Sequence, residues 1–403
     1  MKKCDVCLSD SVVEKVDFGL QPICNRFLTR SDAEELKFPF VFGQCQTCGT
    51  MLNLYRIPAG ELRPTFEWIT YNEPEGHLDH LCEVICQLPG IQTDSVFCGV
   101  SFKDDTLLAR IKNKGFTNTW RVDPAQDLDV DAPGIGVETV QDRINSGTVN
   151  RMANKYGLAD VVIARHILEH ASDPEVFVNS LLQLARPGGY VVVEVPDCSG
   201  AIENNDYTTF WEEHFVYFTP ETFKTFFGVR KLAMRYYECF EYAFENSLVG
   251  VGQRGSENDP FNMDPSVVKN EIDRTSRFLS DYPDVKERTR DYFADHVASK
   301  GKIALFGAGH LACTYINLFQ LEDYISFVAD DNPNKAGLFM PGSRLPIKPS
   351  SALVQEGIKL CCLSLSPEIE NKVIQNNYSF VETGGVFSSI FSRSVRALGI
   401  EGV

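Results

Sequence analysis

Two short cysteine pairs, Cys4-x-x-Cys7 and Cys45-x-x-Cys48, constrain this chain more than any other feature. Each pair offers two thiolates on a tight turn, and four thiolates together close a tetrahedral shell around zinc. The second pair runs on into Gly49, a residue that lets backbone N–H groups approach sulfur. A closed shell leaves no open position, so the expected role of the metal is folding rather than chemistry. Residues 1–60 are therefore expected to form a zinc-binding module, with a longer loop between its pairs (8–44) than simple zinc ribbons have. Cys24 lies outside this spacing and is expected to pack or to line a pocket.

Reading thirteen cysteines as metal ligands or core residues assumes a reducing compartment. The start, M-K-K-C-D-V-C, has no apolar signal core, so a cytoplasmic location is expected. No run of eighteen apolar residues exists, and no membrane partner is expected. Against 55 Asp and Glu stand 38 Lys and Arg, a formal charge of -17. That balance disfavours nonspecific binding to nucleic acid or to anionic lipid, while leaving room for a local basic site for a phosphorylated ligand. At 403 residues and 43% hydrophobic content the chain can bury two or three cores.

Residues 61–94 read as mostly helical. Leu62, Phe66 and Ile69 begin an apolar face, and His77 to Leu88 continues it. The polar break between them, Tyr71-Asn72-Glu73-Pro74-Glu75-Gly76, is either a joint between helices or a lid whose tyrosine reaches an active site. From 95 to 200 apolar runs alternate with helical patterns. Ser95–Cys98 meets Gly99, Thr106–Lys112 is helical, and Thr119–Val122 ends at Asp123. Gly134–Val140 is expected as a third strand, followed by Gln141 and Asp142. Ala159–Ala164 is a fourth, followed by Arg165 and His166. A helix from Pro174 to Ala185 leads to the strand Tyr190–Val195. Such alternation argues for a mostly parallel, doubly wound sheet, in which ligands sit beyond the C-terminal strand ends. Asp123, at the end of the second strand, fits a carboxylate for ribose hydroxyls.

The strand ending in Pro196 delivers the chain to F-W-E-E-H-F-V-Y-F-T-P, residues 210–220. Here Glu212 and Glu213 precede His214, among Phe210, Trp211, Phe215, Tyr217 and Phe218. A histidine beside a carboxylate in aromatic surroundings suits a general base, because imidazole titrates near neutrality. Beyond it, 229–252 is expected to be a closing antiparallel hairpin, 254–265 a boundary, and 266–300 a helix or helix pair. A second α/β domain begins at Lys302. Ile303–Phe306 is a strand, Gly307-Ala-Gly309-His310-Leu-Ala312 opens a helix, and Ile325–Ala329 ends at Asp330. This is the G-x-G-x-x-A form of the dinucleotide fingerprint. A half that only packs, or that binds a phosphate, reads equally well.

These residues resemble the S-adenosylmethionine-dependent sugar C-methyltransferases, which methylate carbon 3 of nucleotide-linked 4-keto deoxysugars. The likeness spans essentially the whole chain. Gly19-Leu-Gln-Pro22-Ile-Cys-Asn25 is similar to the family's segment between the zinc knuckles. Asp160–His170 is similar to its fourth strand, Glu213-His214 with Tyr217-Phe218 to its catalytic pair and following aromatics, and Gly307-Ala-Gly309 to the start of its last domain. The cofactor loop departs from the family pattern. Phe97-Cys98-Gly99 lacks the preceding acid and the second glycine, the loop is longer, and Asp104 or Asp105 is left to supply a carboxylate.

The resemblance implies an α/β chain in four parts: a zinc module (1–60), a Rossmann-like class I methyltransferase domain with a helical lid (61–254), a helical linker (255–300) and a second Rossmann-like domain (301–403). It implies S-adenosylmethionine held by Gly99, Asp104, Asp123, Gln141, Asp142, Arg165 and His166, and zinc held by Cys4, Cys7, Cys45 and Cys48. A small-molecule substrate, a nucleotide sugar, would meet Asn25, Arg26, Tyr217, Phe218, Gly307, Gly309 and His310. Arg26, Arg165 and the N–H groups near Gly307 are the candidates to meet its diphosphate. His214 would remove a proton beside the ketone with Glu213 orienting it, and Tyr71, His170 or a backbone N–H would face the enolate oxygen. Two other readings stay open. One is an NAD-dependent oxidoreductase or isomerase built on the same Glu–His pair, and the other is a binding protein without chemistry.

Overall fold

Short runs of β-branched and aromatic residues become strands, and the Gly, Pro and Asp positions between them become turns. In chain order the strands are β1 (Val12–Pro22), β2 (Lys37–Cys45), β3 (Met51–Asn53), β4 (Phe97–Gly99), β5 (Thr119–Arg121), β6 (Ala159–Arg165), β7 (Ala185–Asp197) and β8 (Val216–Tyr217). There follow β9 (Ala233–Phe240), β10 (Asn246–Gln253), β11 (Ile303–Phe306), β12 (Ile325–Ala329), β13 (Ile347–Lys348), β14 (Leu360–Leu363) and β15 (Val386–Ser389). They make three sheets, of order β1-β2-β3-β8, β5-β4-β6-β7-β10-β9 and β13-β12-β11-β14-β15. The structure is a computed structural model that describes residues 2–69, 73–132, 134–230, 232–255 and 263–400. Tyr71, the expected lid tyrosine, lies outside the described residues.

The chain divides into two compact units, one of residues 1–14, 43–199 and 213–273, the other of 15–42, 200–212 and 274–403. In the first unit β5, β4, β6 and β7 run parallel, and β10 returns antiparallel between β7 and β9. Every residue of β6 is buried, as a parallel strand covered on both faces requires. The period of two divides its side chains. Val161 and Ile163 pack with Leu81, Ile85 and Leu107 on one face. Val162 and Ala164 pack with Phe177, Leu181 and Phe223 on the other. Each such aliphatic side chain contributes about 1.5–3 kcal/mol of burial. The chain enters this sheet at β4, moves out to β5 and crosses back to β6. That reversal opens a crevice at the C-terminal strand ends.

Two expected elements differ. Gly134–Val140 is not a third strand, because Val137–Val140 forms a helical turn that continues into Gln141–Arg143. Thr139 Oγ1 accepts the Gly136 N–H at 3.0 Å, and Val137 and Val140, three apart, bury one helical side together. β5 is consequently the sheet edge. Among the described residues of 61–94, only Ala59–Leu62 at its start and Leu78–Cys86 are helical. Pro64 pushes Arg63 to an extended ψ of 125°, which ends the first helix before Phe66 and Ile69 can join it.

The five-stranded sheet of the second unit is all parallel, with β11 at the centre. Phe210, placed by its sequence position near His214, instead packs against Phe42 at 4.2 Å and Phe278 at 5.6 Å in an aromatic cluster of this unit. The stretch 266–300 is one helix, Pro265–Ser299, which runs through Pro283.

Gly49 ties the metal knuckle to the start of that helix. It sits at φ +81°, and a Cβ there would stand 2.6 Å from Cβ of Glu271. Gly49→Ala adds left-handed strain and a clash, so it should cost about 2 kcal/mol or more. Thermal denaturation should show a clearly lowered midpoint, and an unchanged midpoint would mean that the helix start yields freely.

Candidate functional site

The knuckles place four sulfurs together. One Sγ from each of Cys4, Cys7, Cys45 and Cys48 lies within 4.8 Å of the others, with Cys4–Cys48 at 3.7 Å and Cys7–Cys45 at 3.5 Å. Tetrahedral zinc with Zn–S bonds of about 2.3 Å requires sulfurs about 3.8 Å apart. The N–H groups of Val6 and Thr47 point at Cys4 and Cys45, each at 3.4 Å. The hydroxyls of Ser11 and Thr50 meet Cys45 and Cys48 at 3.2 and 3.0 Å. Such second-shell donors stabilise thiolates. The donor set fits zinc and leaves no open position.

Directly after Cys48 the chain enters β3, and β3 pairs with β8 through Met51↔Tyr217 and Leu52↔Val216. The N–H of Asn53 donates to the Phe215 carbonyl at 3.1 Å, and the N–H of Phe215 donates to the Glu169 carbonyl at 2.7 Å. His214 is thus held between the zinc knuckle's strand and the turn after β6. Its half-buried ring meets the buried ring of His170 edge to face, centroids 4.5 Å apart. Ligand atoms of Glu169, His170 and His214 lie within 4.8 Å of one another. The Tyr217 ring is 6.2 Å from that of His214. The other expected aromatics face elsewhere. Phe218 packs on Phe223 and Phe226, Phe215 lies under the Arg56 guanidinium, and Trp211 belongs to the second unit.

His170 hydrogen-bonds the Glu213 backbone carbonyl, and its Nδ1 is buried without a partner. Burial, aided by the charges of Lys103 and His166, lowers its pKa to about 3. It is therefore a neutral imidazole whose single ring proton goes to Glu213, and its other nitrogen is an acceptor. That removes His170 from the expected donors to an enolate oxygen.

Beneath this pair lies a buried charge cluster that the sequence reading missed. Glu194 accepts Arg165 Nε at 2.5 Å, His166 Nε2 at 3.0 Å and Ser247 Oγ at 2.6 Å, with His77 Nε2 3.1 Å away. Half-buried Glu73 pairs with Lys103 at 2.6 Å. Burial alone would raise the Glu73 carboxyl, but the charges of His166, Lys103 and His214 hold it at about 2. Burial opposes charge on His166, yet Glu73, Glu194 and Glu169 push it up to about 10. His166 also sits at φ +47°, in the left-handed region that non-glycine residues seldom take. A signal for Glu194 was present, since V-V-V-E-V puts a lone acid inside a buried strand.

Several strand-end residues expected to hold the cofactor have internal partners instead. Asp104 accepts the N–H groups of Val100, Ser101 and Arg165 at 2.7–3.0 Å, so its carboxylate closes the loop upon itself. Burial pushes its pKa up to about 7 even so. A Cβ on Gly99 would meet Leu108 at 2.8 Å and Asp104 at 3.0 Å, so the glycine serves packing. Arg165 is held by Glu194 and by the Lys103 carbonyl, which takes it away from a diphosphate. Gln141 Oε1 accepts the Ser172 N–H at 2.8 Å, and Asp142 is exposed beside Arg143. Asp123 caps the following helix through Oδ1, and among the described residues its Oδ2 takes no hydrogen bond.

What remains at the strand ends is a surplus of carboxyl groups. Glu138 is raised to about 7 by burial, half-buried Glu245 to about 8 by desolvation and the charge of Glu73, and Glu169 is raised by burial. Glu138 Oε1 and Glu169 Oε2 are buried without partners. Carboxyls forced upward in this way have less positive charge nearby than their burial requires. A cationic ligand repairs that, and S-adenosylmethionine, with its sulfonium and ammonium groups, fits the deficit.

In the second unit the N–H groups near Gly307 are likewise engaged. Gly307 donates to Ala329, Ala308 to Asp330 Oδ2 at 2.9 Å and Gly309 to Gly307. Gly307 takes φ +106°, and its missing Cβ makes room for Leu365 at 2.4 Å. Asp330 is further paired with Lys335 at 2.9 Å. Asn25 is buried with Oδ1 unpartnered, Arg26 is half-buried, and His310 is buried under Trp211.

Comparison with known proteins places families on three stretches. A zinc binding domain matches residues 4–62, a methyltransferase domain 103–231, and a C-methyltransferase C-terminal domain 266–391. The C-methyltransferase NovU of Streptomyces niveus is 25% identical over 403 residues, covering 96% of this chain and 94% of that protein. Solved structures align less fully. Magnesium protoporphyrin IX methyltransferase from Synechocystis PCC 6803 with bound SAH has a TM-score of 0.29 at 10% identity, over 47% of this chain and 91% of that one. An O-methyltransferase family protein from Burkholderia thailandensis also scores 0.29, at 11% identity, over 45% of this chain and 59% of that one. No helix among the described residues is long and apolar enough to cross a membrane.

Two measurements check the site. Cys45→Ser should lose the zinc of the knuckles and fall in stability or yield, and metal analysis showing that zinc retained would contradict the ligand set. His166, raised from 6.5 to about 10, contributes stability that is fully present below pH 6.5 and lost as pH climbs through 10. His166→Asn, which tolerates the positive φ, should therefore destabilise most at low pH, with the gap shrinking toward pH 10. Urea titrations showing the same gap at both ends would mean that His166 is neutral in the fold.

Proposed function

We propose, for a chain that belongs to the S-adenosylmethionine-dependent C-methyltransferases with an N-terminal zinc-binding domain, that the methyl acceptor is a nucleotide-linked keto sugar deprotonated by His214. The observation that carries the base assignment is the contrast between two touching histidines. His170 is buried, neutral and committed to the Glu213 carbonyl, whereas His214 is half-buried and can meet an incoming ligand. The sugar rests on the motif resemblance around Glu213-His214 and Gly19–Asn25.

A carbon beside a ketone is acidic because the charge left behind delocalises onto oxygen. His214 takes that proton. The imidazolium that results is stabilised by Glu73, which is ionised at neutral pH and whose charge couples to His214. The His170 edge and the Phe215–Glu169 backbone bond hold the base in place, so little reorganisation is needed when it acts. A backbone N–H would face the enolate oxygen; Tyr71, the other candidate from the sequence, lies outside the described residues. Bound S-adenosylmethionine supplies an electrophilic methyl group for the enolate carbon, and Asp123 with Glu138 would hold the cofactor's ribose and positive charge. The oxidoreductase reading is less well supported. The acid that would meet an NAD ribose, Asp330, is tied to Ala308 and Lys335.

The test isolates proton removal from methyl transfer. With a 4-keto nucleotide sugar in heavy water and no methyl donor, the wild type should exchange deuterium into the position beside the ketone. His214→Asn should slow that exchange about a hundredfold to ten-thousandfold while leaving S-adenosylmethionine affinity nearly unchanged by calorimetry. Equal exchange in both proteins would remove His214 as the base. Binding of NAD in place of S-adenosylmethionine would return the oxidoreductase reading.

A further inference from the structure

Within the second unit, three ligand-bearing side chains from distant parts of the sequence converge, none of them a residue of the zinc knuckles. Cys24 follows β1, Glu212 ends the segment 200–212, and His310 begins the helix His310–Phe319. One donor atom from each lies within 4.8 Å of the other two, and the residues are only 5%, 4% and 8% exposed. We propose that Cys24, Glu212 and His310 form a second metal site, for a divalent transition ion and by its donor set zinc.

The surroundings orient each ligand. His310 Nε2 lies 3.1 Å from the Thr208 carbonyl, so that this nitrogen donates to backbone, and Nδ1 faces the Thr314 hydroxyl at 3.4 Å, a contact that a metal would replace. Trp211 stacks on the ring at 4.1 Å and 21° and fixes its plane. Glu212 Oε1 accepts the Cys24 N–H at 2.6 Å, which brings the carboxylate alongside the thiol. Thr314 Oγ1 stands 3.6 Å from Cys24 Sγ. A cavity of about 10 Å³ borders Cys24, Glu212 and Thr314. That is close to the space one water molecule needs, so the hydroxyl or a water can complete four-coordination.

Charge points the same way. Thiolate and carboxylate together carry two negative charges, which a divalent cation balances beside a neutral imidazole. Grouping a thiol, an acid and an imidazole in an aromatic interior costs free energy that apolar side chains would not. Sulfur with imidazole and carboxylate selects zinc or a similar ion over magnesium or calcium, which take oxygen donors. The ion would pin the 200–212 segment to the first turn of the helix His310–Phe319.

The experiment is a metal count on the full chain, purified without chelator, saturated with zinc and desalted. Two zinc ions per chain are expected, falling to one in Cys24→Ala and in His310→Gln with the knuckle site intact. Cobalt substitution should add to the four-thiolate spectrum a second centre with a weaker sulfur-to-cobalt charge-transfer band, absent from both variants. If the variants do not fold, the wild type still decides, because X-ray absorption on the two-zinc protein must show nitrogen and oxygen ligands beside sulfur. One zinc per chain with sulfur ligands alone would overturn the proposal and leave a neutral hydrogen-bonded cluster. A second equivalent that survives in the double variant would overturn it as well.

Discussion

The arrangement of the edge that carries His214, the proposed base, depends on one small pairing, β3 against β8. β8 is two residues long and cannot hold a course by itself, because isolated strand pairs of that size are marginal in water. It is placed by neighbours whose positions are set elsewhere. Zinc holds Cys45 and Cys48, Cys48 leads into β3, and β3 holds Val216 and Tyr217 in register. Structural zinc sites supply about 10–16 kcal/mol of apparent binding energy in small domains, so the anchor is strong compared with what it fixes. On its other side the segment is tied to Glu169 and, through Phe218, to Cys198 at the end of β7. A metal with no open position thereby helps to place His214, the proposed base, without touching it.

The second organising element is electrostatic. Glu194 is wholly buried, and such a charge persists only with close partners. Arg165, His166 and Ser247 provide them, and the Glu194 carboxyl is held well below its usual range, burial notwithstanding. This cluster fixes the turn after β6, where Glu169 and His170 face His214. It also explains why the acids around it titrate high, because the available cations are already matched to Glu194 and Glu73. The basin is thus prepared for a positively charged ligand and keeps His170 neutral.

Much of this was legible in the sequence, and the misses have physical causes. The knuckles, the parallel core strands, the hairpin of β9 and β10 and the second Rossmann-like sheet follow from cysteine spacing and apolar periodicity, which are local properties. Gly134–Val140 misled because a short apolar run fits a strand or one helical turn equally well, and Thr139 decides between them by capping Gly136. Asp104 lies in the cofactor loop by sequence and Arg165 follows the fourth expected strand, yet each is engaged by backbone or by an acid distant in the chain. Phe210 and Trp211 adjoin Glu213 along the chain and still pack into the other unit, since consecutive residues of an irregular segment point in different directions. The partners of Glu194 come from three separate segments, around His77, Arg165–His166 and Ser247, and only the tertiary fold brings them together.

The central claim is that zinc positions the base through β3 and β8. Hydrogen–deuterium exchange on the zinc-loaded and the zinc-stripped full-length protein tests it most directly. The account predicts that removing zinc speeds exchange at residues 51–53 and 215–218 together, while the amides of β6 and the central part of β7 stay protected. If β8 keeps its protection after the metal is gone, the knuckle and the catalytic edge are independent, and the account is wrong.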